Sequence, residues 1–427
     1  MQDRRRFLGQ ALALGAGGLS LRSPTPARRA MAPNQPAPAA PPATTTGPAV
    51  QVPDLKKLPW TYDGAVKVFR LVAEPVRQEL IPGKALDLWG FNGSAPGPLI
   101  EAHQGDRLRI VFDNHLPEPI AIHWHGLEVP NAMDGVASLT QPPVLPGKRF
   151  VYEFTLDQEG TYFYHSHMAM QEMLGLIGPI VLHPRQPYST AVDQDFLLVL
   201  QEYAALPNNP VPNTMAMEFN WLTMNGKSGP ATTPLVVRHN QRVKIRLINL
   251  GMDAHPIHLH GFQFWITGTE GGRQPESNWI RRNTVFVGVA QAFDLEFHAT
   301  HLGEWMLHCH LPHHMMNHMA SPVGPMTRHA GAGMAGMAGM AGMSGGGKAP
   351  PPGWVAPGAN QVPGFPQDAY MENPNMAMDQ AVAKPETYGL PPDWSEAIQG
   401  MMTIVRVLPP DLFDKIQELR AAAGGRA

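Results

Sequence analysis

The densest run of reactive side chains is HCHLPHHMMNHM, residues 308–319, which holds the only cysteine of a 427-residue chain, Cys309. His308 and His310 flank the thiol, and His314 and Met319 follow it at five and ten positions. Three other histidine clusters lie upstream: HWHGLEVPNAMDG from His123, GTYFYHSHM around His165 and His167, and HPIHLHGFQFWI from His255. Imidazole, thiolate and thioether are metal ligands, and together they suit an ion that changes oxidation state by one electron.

Each cluster sits among aromatic and β-branched residues bounded by Gly and Pro, which is the composition of strands. Side chains alternate faces along a strand, so each His-x-His pair offers two imidazoles to one side of a sheet. In HCH the two histidines therefore face one way and Cys309 the other. In HPIHLH, His258 and His260 share a face, while His255 has the opposite parity. Two sites result, back to back. One gathers His258, His260, His308 and His310. The other gathers His255 and Cys309, completed by His314 and Met319 from the following loop. Two imidazoles, a thiolate and a weak axial thioether are the ligand set of a blue copper centre. His123, His125, His165 and His167 bring the imidazole site to eight, enough for three further ions.

In order and spacing these four motifs resemble those of the multicopper oxidases, the family of laccases and cuprous oxidases. The resemblance covers roughly residues 58–320 and implies four coppers. A type 1 ion would be held by His255, Cys309, His314 and Met319. A type 2 ion would take His123 and His258, and a type 3 pair His125, His165, His167, His260, His308 and His310. It also implies an all-β chain of two cupredoxin-like Greek-key sandwiches, here over 58–187 and over 188–320 plus 399–408. The implied reaction is one-electron oxidation of a phenolic compound or Cu(I), with O2 as acceptor. Cys309 would carry the electron between sites. Asp134 matches an acidic position of the first motif and is the candidate for proton relay or for support of a ligand.

The chain departs from the family's longer members in three respects. His167 and His255 are only 88 positions apart, which leaves no room for a middle domain. The match is therefore to two-domain, small-laccase-like members, whose imidazole cluster forms between neighbouring chains of a homotrimer. Met315 stands after His314, where many relatives carry a carboxylate. A Met-, Gly- and Pro-rich insertion, 321–398, follows the axial position and places Met334, Met337, Met340 and Met343 at three-residue intervals. Such thioethers suit Cu(I). The β-branched run near residue 400 then supplies a closing strand, and 409–427 holds a short amphipathic helix with Leu412, Phe413, Ile416 and Leu419 on one face.

Composition bounds the remaining possibilities. A formal charge of -3 leaves no basic excess for nucleic acid, and 45 Pro with 42 Gly favour strands and turns over helices. DRRRFLGQALALGAGGLS, near the start, resembles a twin-arginine signal over 1–32, followed by a Pro/Ala-rich linker over 33–57. Such a signal implies export, here to the periplasm, and its apolar part is too short and glycine-rich for a stable membrane span. Two rival readings are a copper-sequestering protein, which would not need eight convergent imidazoles, and a copper nitrite reductase, which carries its blue-copper cysteine in the first domain.

Overall fold

The computed structural model describes residues 47–205, 209–317, 319–320, 361–362, 365–366, 370–371 and 377–424. The expected signal and most of the Met-rich stretch lie outside these residues. The chain is built of strands with one C-terminal α-helix among the described residues, as expected.

Val66–Ile81 illustrates how the strands arise: Phe69, Leu71 and Ala73 point inward at alternate positions, and the residues between them remain partly exposed. This strand lies between Trp60–Asp63 and Arg107–Asn114 in a five-stranded sheet that also includes Lys84–Phe91 and Arg149–Thr155. Facing it is a four-stranded sheet ordered Ile100–His103, Ile177–His183, Gly160–Ser166 and Ile122–His125. Phe112, Trp124, Tyr152, Tyr164 and Ile180 fill the space between them. Burial of each such side chain contributes about 1.5–3 kcal/mol.

The second sandwich pairs an eight-stranded sheet, centred on Gln194–Tyr203, Arg242–Asn249 and Gln291–His298, with a five-stranded one. The five-stranded order is Leu235–Arg238, Met402–Leu408, Gly303–Cys309, His255–Leu259 and Thr284–Val287. The late strand Met402–Leu408 thus runs beside the cysteine strand, antiparallel to it and parallel to Leu235–Arg238. Without it, two rows of backbone N–H and C=O groups would lack partners. The helix, Pro410–Gly424, then lays Phe413 and Ile416 against Val236 and Leu408.

Two boundaries differ from expectation. The stretch expected as linker, 33–57, already belongs to the fold at Val50–Gln51, which pairs in parallel with Asp195 and Phe196. Val50 is buried, and Val52 and Leu55 pack on the same apolar cluster. The stretch expected as a low-complexity insertion, 321–398, is packed from residue 377 onward: Val382 and Ile398 are buried, and Lys384 Nζ reaches Asp54 Oδ1 at 2.6 Å.

The sandwiches meet through Leu99, Phe163, Ile177 and Val181 on one side and Leu197, Val199, Ile248 and Leu250 on the other. A buried polar link adds direction. Arg246 donates to both oxygens of Asp195 at 2.8 Å and to Thr161 Oγ1 at 2.6 Å.

Candidate metal centres

Register settles which faces the side chains take. Ile257 pairs with Cys309 and His258 with His308, so the thiol projects with Ile257 into the second core while the histidine pair projects outward. The backbone of Cys309 is held by a bond from its N–H to the Met401 carbonyl at 3.0 Å, and His310 N–H donates to Pro256 at 2.7 Å. His314 comes from a 3-10 turn, Pro312–Met315, whose first position is the proline. Its carbonyl accepts from Met401 N–H at 2.9 Å. Gly400 makes that approach possible, because a Cβ there would overlap the same carbonyl.

Three donors converge inside the core. Cys309 Sγ lies 3.4 Å from His314 Nδ1 and 3.8 Å from His255 Nδ1, and the two nitrogens are 3.2 Å apart. All three residues are fully buried. Donors that share one ion at about 2.0–2.3 Å stand at about these separations. Burial, reinforced by the Glu202 and Asp253 carboxylates, pushes the Cys309 thiol up to about 12. Burial, with His255 and His313 nearby, takes His314 down to about 3. The imidazole is therefore neutral at ordinary pH, and the thiol needs a cation to lose its proton. The triangle fits a copper ion. Met319 begins a two-residue strand, Met319–Ala320, but its side chain lies outside those described.

The four imidazoles of the first sandwich form one array. His123 and His165 are register partners on neighbouring strands, His125 Nδ1 lies 3.4 Å from His165 Nε2, and the His123 and His167 rings are 5.5 Å apart. His258, His260, His308 and His310 form another. Its ring centroids are 4.9–5.8 Å apart, and His260 Nε2 is 3.0 Å from His308 Nε2. Burial, with His165 and His123 beside it, lowers His125 to about 4. Burial likewise lowers His123, His260 and His308, so these rings are neutral donors. Among the described residues no hydrogen bond or ring contact joins one array to the other.

Backbone carbonyls fix which nitrogen each ring presents. The Nδ1 atoms of His123, His165, His258 and His308 lie 2.7–2.9 Å from the carbonyls of Asp134, Ser166, Asn283 and Cys309. Donation there leaves each Nε2 lone pair for a metal. At the cysteine site the pattern inverts: Nε2 of His255 faces Glu202 at 3.0 Å, and Nδ1 turns to the thiol. Asp134 meets His123 mainly through its carbonyl; its carboxylate is 3.5 Å from the same nitrogen. Sequence reasoning missed Glu202, Asp253 and Glu172, whose Oε2 is 3.2 Å from His165 Nδ1. Glu202 lies 53 positions from His255, and no local pattern marks it. His313, beside the ligand candidates in sequence, is exposed.

Comparison with known proteins agrees with this chemistry. Two sequence profiles described as multicopper oxidase match, over residues 75–187 and 205–328. The crystal structure of a blue copper oxidase from Nitrosomonas europaea superposes with a TM-score of 0.55 and 30% identity, covering 58% of this chain and 81% of that one. Copper resistance protein A homolog of Pseudomonas syringae pv. tomato is 37% identical over 124 residues, 29% of this chain and 21% of its own length. Multicopper oxidase MmcO of Mycobacterium tuberculosis is 28% identical over 55% of this chain and 52% of its own. The chain thus spans from about a fifth to about half of these two curated relatives. With two matching profiles that together span more than half of its length, and donor sets that suit copper, the chain belongs to the multicopper oxidase family.

Proposed function

We propose that the protein couples one-electron oxidation of a small donor, a phenol or Cu(I), to reduction of O2 to water. The observation that carries this reading is the strand Gly303–Cys309 with His310, which turns a buried thiol to one side and imidazoles to the other. Bound copper would supply one-electron redox chemistry at the cysteine side and dioxygen reduction among the imidazoles. His255, Cys309, His314 and Met319 would hold one ion, and the eight histidines of the two arrays three.

The chain's own groups do the rest. Cys309 spans both faces: its covalent neighbours are His308 and His310, and its carbonyl lies 2.8 Å from His308 Nδ1. An electron moving between sites thus has a path of bonds and one hydrogen bond. Excluding water around the thiol keeps that site from reacting directly with solvent species. A donor would approach the centre from the side of Asp253, whose partly exposed carboxylate lies 3.5 Å from Nε2 of the buried His314. Asp134 and Glu172 would steady His123 and His165 and pass protons from the surface.

Because no hydrogen bond or ring contact joins the two arrays among the described residues, each is read as half of a cluster completed by a neighbouring copy, in a homotrimer. The twin-arginine-like start supports export to the periplasm, and the methionine repeat supports Cu(I) as donor. The domain boundaries proposed are about 58–187 for the first sandwich and 188–320 with 377–408 for the second, whose eight-stranded sheet also takes Val50–Gln51 at its edge.

Oxygen uptake by the copper-loaded full chain tests the reaction. Four one-electron donors should be consumed per O2, and comparing rates for a phenol and Cu(I) identifies the donor. Cys309→Ser should lose both the blue band and turnover while keeping its circular dichroism. A fully metallated protein that takes up no O2 is a copper carrier instead. A monomer in the ultracentrifuge that still holds its full copper complement would remove the shared-cluster reading.

A further inference from the structure

We propose that Glu202 is a positioning residue that orients His255 and, through it, sets how readily the cysteine centre accepts an electron. The inference rests on the reading of His255 and Cys309 as copper ligands. Glu202 sits at the end of Gln194–Tyr203, in the other sheet of the same sandwich, and is completely buried, as is His255. Its Oε2 lies 3.0 Å from His255 Nε2, and its Oε1 accepts the backbone N–H groups of Met252 and Asp253, the latter at 2.9 Å.

Hydrogen-bond accounting fixes the roles. Oε1 is occupied by two backbone donors, and with Nδ1 of His255 turned to the thiol as the ligand atom, the ring proton belongs on Nε2, where Oε2 of Glu202 accepts it. That leaves the Nδ1 lone pair directed toward Cys309 Sγ, 3.8 Å away. The loop is shaped around the carboxylate as well. A Cβ at Gly251 would overlap both carboxylate oxygens, so glycine there is what lets Glu202 reach the ring. The two imidazoles of the centre are thus unlike: His255 is backed by a sealed carboxylate, His314 by Asp253, whose side chain is 33% exposed. A negative charge fixed beside a ligand imidazole in a dry core favours the oxidised, more positive metal and makes the ligand a stronger donor.

Glu202→Gln in the copper-loaded full chain tests this by redox titration of the blue band. The expected result is a band that persists, with the equilibrium constant for reduction raised about tenfold, or about 59 mV for one electron. A potential within a factor of two of wild type overturns the proposal. If the variant fails to fold, the wild type decides: in the fully reduced, diamagnetic state, one imidazole N–H resonance should persist long after transfer to D2O. Complete exchange of every ring N–H on mixing would equally overturn it. A wild-type protein that never turns blue would instead remove the copper-ligand reading itself.

Discussion

At the scale of single residues, the first imidazole array depends on a glycine that touches no metal. Gly135 has φ +85° and packs against the Ile122 carbonyl so closely that a Cβ would overlap it. The turn it permits brings the Asp134 carbonyl to 2.8 Å from His123 Nδ1, the contact that leaves Nε2 of His123 free. Alanine there incurs both a left-handed backbone cost and a clash with a strand, and His123 loses its tether. Gly135→Ala should therefore lose copper from the imidazole cluster and retain the blue ion; metal analysis and electron paramagnetic resonance check this. A variant with a full copper complement would show that the carbonyl tether is dispensable. The parity of His258, His308 and Cys309 is legible in the sequence because alternation along a strand is local. Glu202 and Glu172 are not, since pairing and packing of distant segments bring them to their imidazoles.

The elements show the same division between local and distant causes. TIVRVL, with its β-branched residues, is recognisable as a strand, and it lies between Leu235–Arg238 and Gly303–Cys309. Its Arg406 is completely buried and donates to both oxygens of Glu304, at 2.9 and 3.0 Å, and to the Tyr388 carbonyl at 2.9 Å. One side chain thereby joins the closing strand, the cysteine strand and the segment before it. That segment is where composition misleads. Residues 377–398 are rich in proline and lack periodicity, yet Val382, Trp394 and Ile398 pack while Asp379 accepts from Ser395 N–H at 3.1 Å. Val50–Gln51 is similarly obscured: two residues carry no period, and only pairing with Asp195 and Phe196 at the sheet's edge makes them a strand.

For the molecule as a whole, gathering neutral imidazoles into protein couples stability to pH and to metal. In the folded state His125 and His314 lie at about 4 and about 3, against an ordinary 6.5, chiefly through burial. Below pH 6.5 the unfolded chain binds protons that the folded one refuses, so stability falls as pH falls through the interval from 6.5 toward those values. The depressed carboxylates act in a lower window. Burial opposes ionisation of Glu101 and Glu296, but His183 and Lys57 hold the former, and Lys244, Arg273 and Arg242 the latter, at about 2 against an ordinary 4.5. What they contribute is complete above 4.5 and is lost only in stronger acid. Between pH 6.5 and 4.5, then, the histidines govern. Metal-free protein should lose about 1 kcal/mol per buried histidine in this interval, after allowance for solvent screening. Differential scanning fluorimetry of chelated protein from pH 7 to pH 5 should show a falling midpoint. His125→Asn, which removes one titrating ring, should flatten that fall, and copper added at pH 7 should raise the midpoint because the ions bind only the folded arrangement. A metal-free midpoint that holds steady to pH 5 would mean that these imidazoles are open to protons, and so too loosely enclosed to act as prearranged copper ligands.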